Sequence, residues 1–290
     1  MCKTYNINDI SFKISSFAIE SMLYEISCFP SPGLVSPISS GAHNDMDYYT
    51  FIQSTSELIK YMTLFAERGY SKNTAKEIFK SIREIGIEAE NSMFKKTKGI
   101  NTHKGMIFLL GVSIAATTKA IYDKKSFHDI KNVIKEMTSG IVEKELKNID
   151  KNKKLTYGEK LYIEYGIEGI RGQVEQGLPL VFDYGLKIFK DTCELSFNDR
   201  LIHTLIALME RLDDSNILHR HSFEMLKKVN RQAEEIMKLG GMRTLKGREK
   251  ILAMEKEFVS LKISPGGCAD LLAITVFFYL TEEYFKELNI

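Results

Sequence analysis

Thr97-Lys98-Gly99-Ile100-Asn101-Thr102-His103-Lys104-Gly105 runs directly into Met106-Ile107-Phe108-Leu109-Leu110-Gly111-Val112-Ser113-Ile114-Ala115-Ala116-Thr117-Thr118. A polar, glycine-bracketed turn meets the most apolar segment of the chain. A helix apolar on every side is a buried helix. Its N-terminus therefore enters the fold with unpaired N–H groups and the positive end of a dipole. Such a terminus attracts anions, and phosphates above all. An ordinary cap, Asn101 or Thr102, explains one polar residue. It does not explain four in a row, one of them Lys104.

Working outward, the same design recurs near the end of the chain. Ser264-Pro265-Gly266-Gly267-Cys268-Ala269-Asp270 opens a second very apolar helix, Leu271 to Thr281. Between these two, helices are expected over about Phe197–Arg211, Ser222–Leu239 and Thr244–Leu261, with another after Pro179 to about Lys190. Upstream, a helix capped by Asp9 or Ser11 runs to about Cys28. A second covers Tyr48 to Arg68 and stops at Gly69. A third starts at Ser71 with Ile78, Ile82, Ile85, Ala89 and Met93 on one face. A further helix begins at Ser126 and runs to about Met137. No segment alternates with period two, so the fold class is all-α, a single helical domain over 1–290 with two buried apolar helices.

Bulk numbers exclude several classes. The 290 residues carry 40 basic and 38 acidic side chains, a net charge of +2. That balance gives no case for nucleic acid or a membrane surface. The uncharged run Gly105–Thr118 is 14 residues long, short of the roughly 20 needed to span a bilayer. Cys2, Cys28, Cys193 and Cys268 form no CxxC pair, which fits reduced thiols in a cytoplasmic protein. Residues 140–158 alternate lysine with glutamate and read as a solvated surface stretch. A monomer and a homo-oligomer both stay open.

Carboxylates accompany the polar turns: Asp45, Asp47, Glu88, Glu90, Asp213, Asp214 and Asp270. Alone they would repel phosphate. With Lys104, Arg171 and two helix starts, they suggest phosphate carried with Mg²⁺, which takes one or two carboxylates plus phosphate oxygens. Each also has a simpler reading. Glu90 can pair with Arg83, Asp213 or Asp214 can cap a helix, and Asp270 can complement a dipole. Lysine precedes glycine in the first turn, so this is no P-loop. The histidines lack metal-ligand spacing, and His43 and His103 suit hydrogen bonding or acid–base work.

These segments together carry a resemblance. Pro32-Gly33-Leu34-Val35, Gly41-Ala42-His43-Asn44-Asp45-Met46, Ser54, Arg83 to Glu90 and Thr97 to Gly105 are similar to the triphosphoribosyl-dephospho-CoA synthase family. So are Tyr165-Gly166, Gly169, Arg171-Gly172, Gly177-Leu178-Pro179, Asp214-Ser215-Asn216 with Arg220, and Ser264 to Leu272. The matches keep family order over nearly the whole chain. Two departures stand out: Ser31 replaces a lysine, and His221 and Ser222 replace glycines.

The resemblance implies an all-helical transferase. It would move the 5-triphosphoribosyl group of ATP to the 2′-hydroxyl of 3′-dephospho-CoA and release adenine. The product would be the prosthetic-group precursor for the acyl carrier protein of citrate lyase or malonate decarboxylase. On this reading Asn101, Thr102, Lys104, Gly105, Ser264, Gly266 and Gly267 hold the triphosphate, and Arg171 and Arg220 hold phosphates of either substrate. Mg²⁺ is held among Asp45, Glu90, Asp214 and Asp270. Glu90, Asp45 and His103 are candidates for the base, and His43 and Asn216 for other substrate contacts. Three rivals remain: a related ribosyltransferase with another acceptor, a helical ATP-binding regulator without turnover, and a prenyl-synthase-like enzyme. Asp213-Asp214-Ser215-Asn216-Ile217 speaks against the last, because its fifth residue is not aspartate.

Overall fold

The computed structural model describes residues 8–149 and 155–290. Thirteen α-helices form among these residues: α1 (Asp9–Ser27), α2 (Tyr48–Gly69), α3 (Ala75–Lys96), α4 (Lys104–Tyr122), α5 (Ile130–Thr138), α6 (Tyr157–Tyr165), α7 (Gly169–Glu175), α8 (Leu186–Asp191), α9 (Phe197–Arg211), α10 (Ser215–Arg220), α11 (Phe223–Lys238), α12 (Leu245–Leu261) and α13 (Gly266–Leu288). No strand occurs among the described residues. Asp150 to Lys154, part of the expected solvated stretch, lie outside them.

The two apolar helices organise the rest. Fifteen consecutive or near-consecutive residues of α4, from Met106 to Ile121, are buried. α4 packs against α1, α2, α3, α5 and α13, and α13 packs against α1, α4, α8 and α9. α1 touches both and closes the third side. α4 alone among the described helices has the length and hydropathy to cross a membrane, and 83% of that stretch is buried inside the fold.

Close approach decides the glycines of this core. Gly69 is the last residue of α2 rather than a stop beyond it. A Cβ there would lie 2.1 Å from Thr118 Oγ1 and 2.3 Å from the Ala115 carbonyl oxygen. Gly111 of α4 faces the Phe65 ring in the same way. The expected face of α3 is confirmed, with Ile78, Ile82, Ile85, Ala89 and Met93 all buried.

Several boundaries differ from expectation for local reasons. Asn8, not Asp9 or Ser11, caps α1, its side chain accepting the Ser11 N–H. Thr74 and Glu77 form a capping box that starts α3 three residues past the expected Ser71. The segment after Pro179 begins as a π-helix, Leu180–Gly185, before α8. The Tyr165–Gly172 turn is half helical: Gly166 ends α6 in the left-handed region and Gly169 begins α7. Within 140–158, Glu143–Lys147 forms a π turn, and its Glu145 is only 23% exposed.

Two glycine substitutions should separate packing from propensity. Gly69→Ala forces α2 away from α4 and should lower unfolding free energy by about 1–3 kcal/mol, the usual range for overpacking. Gly86→Ala on α3 meets nothing within 4 Å, and should raise stability by up to about 1 kcal/mol. Urea unfolding of both variants checks the pair.

Candidate active site

One cavity of about 490 Å³ gathers most of the residues singled out in the sequence. Its wall contains Asn101 to Gly105, His43, Asp45, Arg171, Asn216, Arg220, Ser264, Gly266, Gly267 and Asp270. Their chain positions span more than two hundred residues, so only the tertiary fold brings them together. The first residues of five helices line it: Lys104 of α4, Tyr157 of α6, Gly169 of α7, Ser215 of α10 and Gly266 of α13. Those of the long helices α4 and α13 bring positive dipole ends to one space.

Two expected residues are not in this wall. Glu90 lies on α3 and its Oε2 is 2.9 Å from Lys104 Nζ. It pairs with Lys104 and not with Arg83, which instead reaches Glu145 Oε1 at 3.1 Å. Asp214 is 1% exposed and sits beneath the cavity. Its Oδ1 accepts the Asn216 N–H at 2.8 Å and its Oδ2 the Cys268 N–H at 2.9 Å. One carboxylate therefore caps α10 and holds the first turn of α13. Gly267 is glycine because a Cβ would come within 3.0 Å of that carboxylate. The capping alternative for Asp214 describes its contacts.

The cations of the site are each tethered. Lys104 is held by Glu90, and its backbone N–H by Asn101 Oδ1 at 3.1 Å. Arg171 Nε donates to Glu145 Oε2 at 2.7 Å. Arg220 Nη2 comes within 3.4 Å of His43 Nδ1. His43 Nε2 meets Ser264 Oγ at 3.0 Å, and Asp45 lies 3.6 Å from its Nδ1. His43 thus ties the Ser31–Asp47 loop to α10 and to the α13 turn. Burial, followed by the Arg220 charge, holds its pKa below the ordinary value.

His103 is buried, and burial drives its pKa down to about 3. Thr102 Oγ1 donates to Ser54 Oγ at 2.7 Å, and Ser54 Oγ lies 2.7 Å from His103 Nδ1. With Thr102 donating to it, the serine's own proton goes to Nδ1, which leaves the ring N–H on Nε2. Nε2 has no hydrogen-bond partner among the described residues. His103 is thus a neutral ring, oriented by Ser54, and a weak base.

Sequence reasoning missed Glu25, Tyr157 and His219. Glu25 is 5% exposed on α1 and lines the cavity. Its signal was a carboxylate on the apolar face that also carries Ile14, Ala18 and Met22. Tyr157 and His219 also line the cavity, with ring centroids 3.8 Å apart. Of the departures from the family pattern, Ser31 is buried with an unpartnered Oγ, and His221 Nε2 is 3.0 Å from the Lys262 carbonyl oxygen. No three His, Cys, Asp or Glu side chains converge as a metal cage among the described residues.

Helix starts, tethered cations and buried carboxyls around one cavity in an all-α fold suit an enzyme that handles polyanions. Residues 11–289 match the ATP:dephospho-CoA triphosphoribosyl transferase family, and the chain belongs to that family. A probable 2-(5''-triphosphoribosyl)-3'-dephosphocoenzyme-A synthase of Malonomonas rubra is 36% identical over 293 residues, covering 98% of this chain and 92% of its own. Proteins of the same name from Streptococcus mutans and Lactiplantibacillus plantarum are 32% and 36% identical, covering 93% and 91% of this chain and 96% and 95% of their own. No solved structure matches.

Buried acids and imidazoles set the pH response of the fold. Burial raises Glu25 to about 8 and Glu255, which accepts the Gly33 N–H, to about 7. Raised acids stabilise below their unfolded pKa, and that stability is lost as pH rises through the folded pKa. His103 and His203, lowered to about 3 and about 4 by burial, do the reverse: their stability is present above about 6.5 and lost as pH falls toward those values. The urea midpoint should therefore drop between pH 6.5 and 8.5, on the order of 1 kcal/mol per pH unit for each acid still protonated. Glu25→Gln should flatten that drop.

Proposed function

We propose that this cavity is where the chain performs its family's reaction, transfer of the triphosphoribosyl group of ATP to the 2′-hydroxyl of 3′-dephospho-CoA with release of adenine. The observation that carries the assignment is the convergence of the α4 and α13 N-termini with Lys104, Arg171 and Arg220 around one space. A triphosphate that survives the reaction needs holding rather than cleaving. The α4 and α13 turns, Asn101–Gly105 and Ser264–Gly267, offer backbone donors and dipoles for it. Lys104, positioned by Glu90, adds charge. In this reading Arg171 and Arg220 would hold phosphates of either substrate, and His43 and Asn216 would make other substrate contacts.

The bond that forms joins the acceptor oxygen to C1 of the ATP ribose. The bond that breaks joins C1 to the adenine nitrogen. The hydroxyl proton passes to a base, and adenine takes up a proton as it leaves. Attack opposite the base inverts C1, so a β-riboside becomes an α-linkage. The transition state has oxocarbenium character. Among the three candidate bases, Asp45 stands in the cavity wall with a mostly exposed carboxylate beside His43. Glu90 is engaged by Lys104, and His103 is too weak a base, with a ring Nε2 closed off from the cavity. We therefore assign the base to Asp45.

Mg²⁺ fits the donor set, because Asp270 faces the cavity with no hydrogen-bond or ion-pair partner; bound there, it would neutralise triphosphate charge. Both substrates point to a cytoplasmic setting. The product would pass toward an acyl carrier protein.

The chain incubated with ATP, Mg²⁺ and dephospho-CoA should release free adenine. ADP or AMP without adenine would overturn the reading, and ATP binding without turnover would favour a regulator. Adenine released only with a different acceptor would identify a diverged ribosyltransferase. Lys104→Ala should raise KM for ATP about tenfold, the scale of one charge-assisted hydrogen bond.

A further inference from the structure

Glu25 is the only charged side chain among the buried residues of α1. It opens onto the cavity floor at 5% exposure, and no hydrogen bond or ion pair satisfies its carboxyl among the described residues. Asp270, on the first turn of α13, lines the same cavity and is likewise unpartnered. Gly105 makes room for it: a Cβ there would lie 2.2 Å from Asp270 Oδ2. α1 and α13 pack against each other, so the two carboxyls come from adjoining helices. Burial above all, then the neighbouring Glu25 and Asp214 carboxyls, holds the Asp270 pKa well above the usual carboxylate range.

None of the nearby cations answers this pair. Lys104 is engaged by Glu90, Arg171 by Glu145, and Arg220 lies against His43. Two such carboxyls without a partner keep their protons, and they can give them up when something positive comes between them. Asp214 is 1% exposed, lies outside the cavity wall and already accepts a backbone N–H on each oxygen, so it does not serve.

We propose that Glu25 and Asp270 together form the seat of a divalent cation of the Mg²⁺ class at the floor of the cavity. Mg²⁺ takes one or two carboxylates and fills its remaining positions with phosphate oxygens and water. The absence of a third converging ligand among the described residues leaves those positions open. The proposal rests on the functional reading above only in that the phosphates completing the shell belong to ATP. It adds Glu25 to the ligands and excludes Glu90 and Asp214.

Mn²⁺ is the probe, detected by electron paramagnetic resonance, with inorganic tripolyphosphate as the phosphate source. Wild type should bind the Mn²⁺–tripolyphosphate complex. Glu25→Gln and Asp270→Asn should each weaken that binding at least tenfold, and Glu249→Gln, on the exposed face of α12, should leave it unchanged. Wild-type affinity in Glu25→Gln, or no binding by wild type, overturns the proposal. Should either variant fail to fold by circular dichroism, wild-type crystals grown with Mn²⁺ decide: an anomalous peak between the two carboxyls supports the seat, and a peak elsewhere overturns it. Tripolyphosphate has no ribose to transfer, so this outcome is separate from adenine release. Adenine release without the Mn²⁺ seat overturns the seat alone; the seat without adenine release overturns only the reaction.

Discussion

Two helices that are apolar on every side leave the fold little choice about their ends. α4 and α13 must be buried, so their N-terminal turns come inside with them. Unpaired N–H groups inside a core are costly. For α13 the structure meets that constraint with a side chain from elsewhere, Asp214, which takes one N–H from α10 and one from α13; at the more exposed start of α4, Asn101 takes the Lys104 N–H from three residues upstream. The glycines follow from the same crowding, because Gly105 and Gly267 lie where Asp270 and Asp214 leave no room for a Cβ. The cavity is the space left between helix starts that cannot close fully on one another.

Its electrostatics are mixed by necessity. On the proposed reading two polyanionic substrates call for positive charge, and the wall contains Lys104, Arg171 and Arg220 along with helix dipoles. Each of these cations is already balanced or oriented by a neighbour. Glu145 shows the device: one carboxylate accepts from Arg171 and pairs with Arg83, whose guanidinium also lies over the Phe108 ring. Tethering costs some free charge but fixes where it points, so little ordering is left to do when a phosphate arrives.

Much of this was legible from local pattern. Uncharged stretches marked α4 and α13, and helical periodicity placed α9 at Phe197–Arg211 as observed. The polar turns leading into apolar helices named Asn101 to Gly105, Ser264, Gly266, Gly267 and Asp270 of the cavity wall. What stayed hidden needed a partner distant in sequence. Asp214 and Asp270 look alike as acids near helix starts, yet one is saturated by N–H groups and the other is unpartnered. Glu145 sat in a lysine–glutamate stretch indistinguishable from a solvated face until Arg171 and Arg83 met it. Glu25 was a lone acid on an apolar stripe, and only the fold shows that the stripe borders a cavity.

The breadth of chain that builds the wall bears on synthesis. Glu25 lies on the first described helix and Asp270 on the last, and the starts of α4, α6, α7 and α10 come from between. While the chain emerges from a ribosome, the early helices can pair, but α13 is still absent and the side of α4 and α1 it will cover stays bare. Until α13 docks, a nascent chain thus presents an exposed apolar seam and an incomplete cavity wall. The wall is completed by the same event that covers that seam.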